Sequence, residues 1–101
     1  MKVVWTKRAV LRLQASWTYI AETFYEEYAT AFEEDIFQTV ERIGRQPSIG
    51  VEAFPELARP ELRKFLSAKR NFWVYYRIRR DVCEIMSIRH VRQNVMGLGN
   101  L

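Results

Sequence analysis

The stretch FWVYYRIRRDVCEIMSIRHVR, from Phe72 to Arg92, decides the fold. β-Branched and aromatic residues fill Phe72–Ile78 and Val82–Ile88, and the polar Arg79-Arg80-Asp81 separates them, which is the pattern of two strands and a tight turn. The turn lacks an Asn-Gly or Asp-Gly pair, so its type stays open. A two-residue loop at Arg80-Asp81 would set Ile78 opposite Cys83 and Arg77 opposite Glu84. Strict alternation then places Trp73, Tyr75, Arg77, Glu84, Met86, Ile88 and His90 on one face. Val74, Tyr76, Ile78, Cys83, Ile85, Ser87 and Arg89 take the other, more apolar face, the one expected to pack on helices.

Working outward, Leu62–Ser67 reads as a further strand, with Leu62, Lys64 and Leu66 on one side and Arg63, Phe65 and Ser67 on the other. All three prolines, Pro47, Pro55 and Pro60, fall between Gln46 and Pro60, which therefore reads as a loop. Upstream, Ala29, Phe32, Ile36, Val40 and Ile43 recur at helical spacing, with Gly44 and Pro47 as a stop signal. An earlier series, Val10, Leu13, Trp17, Ile20 and Phe24, predicts a first helix facing the core. Thr6 is placed to cap that helix, and Thr30 with Glu33 could form a capping box for the second. No strong breaker lies near Glu26-Glu27-Tyr28, so two helices and one bent helix both fit. Lys2-Val3-Val4-Trp5 is a short opening strand. The order is β-α-α-β-β-β, an α+β domain in which an N-terminal strand and a helical hairpin accompany an antiparallel sheet. One domain spans residues 1–101, and Val95–Leu101 reads as a tail or as a segment docking on the sheet.

Composition narrows the function classes. The chain has 101 residues, 49% of them hydrophobic, enough for one self-sufficient core. With one cysteine, Cys83, and one histidine, His90, neither an internal disulfide nor a zinc site is expected. No cofactor and no metal are expected. No apolar run is long enough to span a membrane, and the opening residues lack the apolar core of a secretion signal, so the reducing cytoplasm is the expected compartment.

The formal charge of +4 is unevenly spread. Glu22, Glu26, Glu27, Glu33, Glu34, Asp35 and Glu41 have no basic companion in their segment, whereas Arg59–Arg92 carries ten Lys and Arg residues against Glu61, Asp81 and Glu84. An acidic helical surface and a basic strand surface follow, the second suited to a polyanion or an acidic partner. Phe72, Trp73, Tyr75 and Tyr76 could stack bases, but aromatics in strands ordinarily fill cores.

Several runs together resemble the toxins of the RelE/ParE superfamily of bacterial toxin–antitoxin modules. They are Phe54-Pro55-Glu56-Leu57, Pro60-Glu61-Leu62-Arg63-Lys64, Tyr75-Tyr76-Arg77, Asp81-Val82 with Ile85, and Ile88-Arg89-His90 with Arg92. Val4-Trp5-Thr6 with Ala9 and Leu13, then Tyr19-Ile20-Ala21-Glu22, look like that family's first strand and helix. The resemblance implies a toxin held inactive by a cognate antitoxin, encoded adjacently, whose C-terminal segment wraps it as helix and strand. One branch cuts messenger RNA on translating ribosomes; the ParE branch poisons DNA gyrase without nuclease chemistry. By position, the ribonuclease residues would be Arg63, Arg70 and His90, with Lys64, Lys69, Arg77, Arg89 and Arg92 contacting target or nucleic acid. Cations and an imidazole suit in-line attack by a 2′-hydroxyl. No clear tyrosine follows the last strand, where some ribonuclease members carry one. The sequence looks closer to ParE and plasmid-stabilisation members, and growth arrest through gyrase is the leading expectation.

Overall fold

Thr6 makes the first junction of the fold. In the computed structural model, which describes residues 1–93, the Thr6 hydroxyl accepts the Ala9 N–H at 3.2 Å. It thereby caps α1 (Lys7–Thr23), as the sequence predicts. The same hydroxyl donates to Ile85 O at 2.8 Å, and the Thr6 N–H reaches that carbonyl at 3.0 Å. One residue therefore ends β1 (Lys2–Trp5), starts α1 and fastens both to β5 (Val82–His90).

The remaining elements are α2 (Glu26–Arg45), β2 (Val51–Glu52), β3 (Leu62–Leu66) and β4 (Phe72–Arg79). The sheet order is β1-β5-β4-β3-β2. β2 through β5 pair antiparallel, and β1 joins β5 in parallel. The α+β order matches the expectation, with one strand added: inside the proline-rich stretch read as a loop, Val51 and Glu52 pair with Lys64 and Arg63. Two residues are too few to carry a periodic signal.

There are two helices, not one bent one, and the break falls at Phe24 and Tyr25. The core stripe of α1 runs through Ala9, Leu13, Trp17 and Ile20. Val10 and Phe24, expected inside, are 37% and 58% exposed. Val10 follows the fully buried Ala9, so the helical advance of about 100° per residue turns it outward. Phe24 is the C-cap at φ −119° and ψ −100°, outside the helical phase. The second series is buried throughout: Ala29, Phe32, Ile36, Val40 and Ile43. The Thr30–Glu33 capping box does not form, because α2 already starts at Glu26 with Tyr25 as its N-cap. Gly44 lies within the last turn of α2, not beyond it; a Cβ there would meet Val3 Cγ2 at 2.9 Å, so glycine lets α2 close on β1.

The β4–β5 hairpin keeps the expected register at its turn: Arg79 pairs with Val82, Ile78 with Cys83 and Arg77 with Glu84. Arg80 takes φ 56°, the positive dihedral a two-residue hairpin loop requires at its first position. The register then shifts. Tyr76 pairs with Ile85 but Tyr75 with Ser87, so Met86 is an extra residue, a β-bulge. The far half of β5 is therefore reversed relative to the alternation read from the sequence. Ile88 and His90 share the helical face with Val74 and Phe72, whereas Ser87 and Arg89 share the outer face with Tyr75 and Trp73. A bulge has no side-chain signature in MSIRH, and a slip of one residue exchanges every side chain beyond it.

Two apolar clusters result. Ile36, Ile43, Val74, Tyr76, Ile85 and Ile88 fill the layer between helices and sheet. On the outer face Ala53 and Phe54 fold over Leu62 and Tyr75, with Trp73 and Met86 beside them. Phe54 and Tyr75 stack at 6.0 Å. Tyr75 and Tyr76 are thus core aromatics, one on each face. Val95–Leu101, read as a tail or docking segment, lies outside the described residues. Among the described residues no helix is long and apolar enough to cross a membrane, and no cluster of three potential metal ligands occurs.

Candidate functional site: a groove with a basic rim

The helical hairpin does not cover the whole sheet. Between the hairpin tip and the Phe72–His90 end of the sheet lies an open groove of about 1010 Å³. Its floor is apolar: Ile20, Phe32, Phe72 and Ile88. Phe32 and Phe72 are 4.6 Å apart between ring centroids and join α2 to β4. Tyr19, Phe24 and Tyr28, all more than half exposed, form the outer wall. Arg12, Lys69, His90 and Arg92 line the rim, with Asp35 the one acid among the lining residues.

The rim is held by short-range bonds. Asp35 Oδ1 accepts the Lys69 N–H at 3.1 Å, and Thr39 Oγ1 accepts the Ala68 N–H at 3.3 Å while donating to Asp35 O at 2.7 Å. These bonds pin the β3–β4 turn to α2. Ser67 closes the turn with its own side chain, accepting the Phe72 N–H at 3.2 Å. Arg70 sits at the turn's tip with φ 65° and is exposed.

His90 ends β5 with its ring edge-on to Phe72, 5.2 Å between centroids and 86° between planes. Its Nδ1 accepts the Arg92 N–H at 3.1 Å. An imidazole that accepts at Nδ1 carries its proton at Nε2 when neutral. It can donate from Nε2, but both nitrogens are engaged as the ring stands, so neither is free to take a proton from a substrate hydroxyl. The Gln93 side chain accepts the His90 N–H at 2.9 Å, which folds the chain back at the groove's end.

The other sequence-predicted residues divide by location. Arg63 is not at the groove: its Nη1 donates to Gly50 O at 2.6 Å, at the β2 end of the sheet. Arg63 pairs with Tyr76, and His90 with Phe72. Four residues along β4 and two strand spacings across separate their backbones by about 16 Å. Val74 and Tyr76 fill the space between. Arg70 and His90 share one end of the sheet, so the proposed trio is split two and one, too far apart to bracket one phosphodiester. Lys64, Arg77 and Arg89 lie on the outer face. Lys64 Nζ stands 4.5 Å from the Trp73 centroid. Arg77 Nη2 and Nε both bind Glu84 Oε1, at 2.8 and 3.0 Å. Arg89 is buried, and desolvation together with nearby Arg12 and Arg8 draws its pKa below the usual arginine range.

Sequence reasoning passed over Arg12, Tyr19 and Tyr28. The usable signal was the run of aromatics off the core stripe, on helices otherwise acidic.

The fold and sequence have known counterparts. A solved structure described as the chromosomal ParDE TA system from P. aeruginosa is 22% identical in sequence, with a TM-score of 0.76. The match covers 91% of this chain and 97% of that one. No curated protein matches in sequence. Residues 3–95 match the family described as the ParE toxin of the type II toxin-antitoxin system parDE. With nearly the whole length matched, and with the strand, helical hairpin and sheet in the same order, the chain belongs to the ParE toxin family.

Proposed function

We propose that this chain arrests bacterial growth from the cytoplasm by poisoning DNA gyrase, and that a cognate antitoxin silences it by laying a segment into the helix–sheet groove. The observation that carries the target reading is the separation of Arg63 from Arg70 and His90, joined to the engaged Nδ1 of His90. A ribonuclease needs base, acid and charge stabiliser within bonding reach of one phosphate. ParE-type inhibition needs none of these.

For the antitoxin, the groove offers the two properties that suit an amphipathic segment. An apolar floor takes Leu- or Phe-like anchors, and a cationic rim takes flanking acids. A partner that binds only the folded toxin also stabilises it by mass action.

The deciding assay adds purified toxin to gyrase on relaxed plasmid. Loss of supercoiling or accumulation of cleaved DNA is expected at a few-fold excess, and no effect there removes the gyrase reading. In growing cells DNA synthesis should stop before translation. Early arrest of translation, with transcript cleavage abolished by His90→Ala and Arg70→Ala, would assign the chain to the ribonuclease branch instead. For the groove, Phe24→Glu and Tyr28→Glu are expected to weaken antitoxin binding by at least about tenfold per site, the scale of a buried aromatic anchor. Unchanged affinity in both would move the antitoxin elsewhere.

A further inference from the structure

α1 breaks a local rule. Its first turn carries Lys7 and Arg8 and no acid, where the helix dipole favours anions. Arg12 follows Arg8 at a spacing of four, so two like charges stand on one helical face about 6 Å apart along the axis. Both choices cost stability unless something outside the helix answers them.

The third member comes from β5. Without the bulge at Met86, Arg89 would face the helices; with it, Arg89 pairs with Trp73 on the outer face. Bulges often serve to re-aim one side chain. Thr6 fixes the start of α1 to Ile85 O, four residues before Arg89. Arg89 is buried, and the fields of Arg12 and Arg8 both reach it. Next to it across the strands, half-buried Trp73 carries Lys64 over its ring at 4.5 Å. Arg77, also on this face, is occupied by Glu84 and is set aside.

We propose that Arg8, Arg12 and Arg89 form a clasp for the sugar-phosphate backbone of a nucleic-acid strand, with Lys64 and Trp73 continuing the track across the sheet. Guanidinium forks bind phosphate oxygens in pairs, and a strand supplies a charge about every 3.4 Å of axis, enough to answer cations on two elements at once. A single carboxylate satisfies one fork and leaves the others. The clasp lies outside the groove floor and stands whether or not gyrase is the target.

The test is fluorescence anisotropy of a labelled single-stranded oligonucleotide against the full chain over a salt series. Arg8→Gln with Arg12→Gln is expected to weaken binding by about tenfold at low salt and to reduce the log–log salt slope by about 1.4, the contribution of two strand phosphates. Arg89→Lys, which keeps the charge and removes the fork, should also weaken it. The control is Arg79→Gln with Arg80→Asn at the hairpin turn, an equal loss of charge on exposed residues, and should bind as the parent does. Thermal midpoints accompany each variant, and Arg89→Lys is read only alongside an intact midpoint. An equal loss in the control would reduce the effect to net charge and overturn the clasp. So would a flat salt response, unchanged binding in the Arg8/Arg12 variant, or binding of polyglutamate in place of the oligonucleotide.

Discussion

Replacing Tyr76 by Phe removes one oxygen and strands two backbone groups. The hydroxyl donates to Pro47 O at 2.6 Å and accepts the Gly50 N–H at 2.9 Å, tying the start of β2 to the middle of the sheet. Tyr76 is 1% exposed, and Gly50 is buried so closely that an added Cβ would meet Tyr76 Oη at 2.5 Å and Lys64 O at 2.8 Å. Water has no room to replace the lost hydroxyl. The Gly50 N–H then keeps its desolvation penalty with no partner, which together with the lost bond to Pro47 puts the cost at about 2 kcal/mol. For a domain of this size that lowers the thermal midpoint by about 8–10 °C. Urea unfolding followed by circular dichroism measures it, with Tyr75→Phe as comparison, since the Tyr75 hydroxyl holds no such pair of backbone groups. A Tyr76→Phe loss below about 0.5 kcal/mol, or one matched by Tyr75→Phe, would refute the reasoning. The same variant bears on Arg63, whose Nη1 binds Gly50 O in this latch: Arg63 is a structural residue here, and its replacement should cost stability.

The bulge gives a paired prediction: Ile88→Ala should cost about 2–4 kcal/mol because Ile88 is 1% exposed in the helical core, whereas Met86→Ala should cost less than about 1.5 kcal/mol on the half-buried outer face. Equal costs measured by urea titration would mean the far half of β5 is not turned. Burial pushes Tyr75 and Tyr76 above their ordinary 10.0 and the Cys83 thiol above 9.0. Their contribution to stability is complete below those ordinary values and is lost as pH climbs through the raised folded ones. The urea midpoint should therefore decline from about pH 9 upward, less so in Tyr76→Phe; a flat profile to pH 11 would contradict the assigned burial.

Most of the fold was legible because its signals are local. Ala29, Phe32, Ile36, Val40 and Ile43 mark one helical face, and Arg79-Arg80-Asp81 marks one turn. Both stand as read. What failed depended on partners distant in sequence. A bulge is a relation between two strands, and β2 exists only because β3 lies beside it. The site suffered the same way. Arg63, Arg70 and His90 look like one basic constellation along the chain, but strand pairing sends Arg63 to one end and the other two to the opposite end. Phe24 read as core because its spacing continued the stripe, and the helix ended one residue too soon for that.

The parallel pairing of β1 with β5 has a consequence for synthesis. Lys2 finds Val82 and Trp5 finds Ile85, so the first strand has no ladder until about eighty further residues exist. At 5–20 residues per second, that is about 4–16 s during which β1 and the apolar stripe of α1 wait without their sheet. The groove waits as well, since its floor combines Ile20 and Phe32 with Phe72 and Ile88. A nascent chain therefore has neither the groove nor the Arg8–Arg89 pairing until β5 has been made, and an antitoxin that reads the groove recognises only finished molecules.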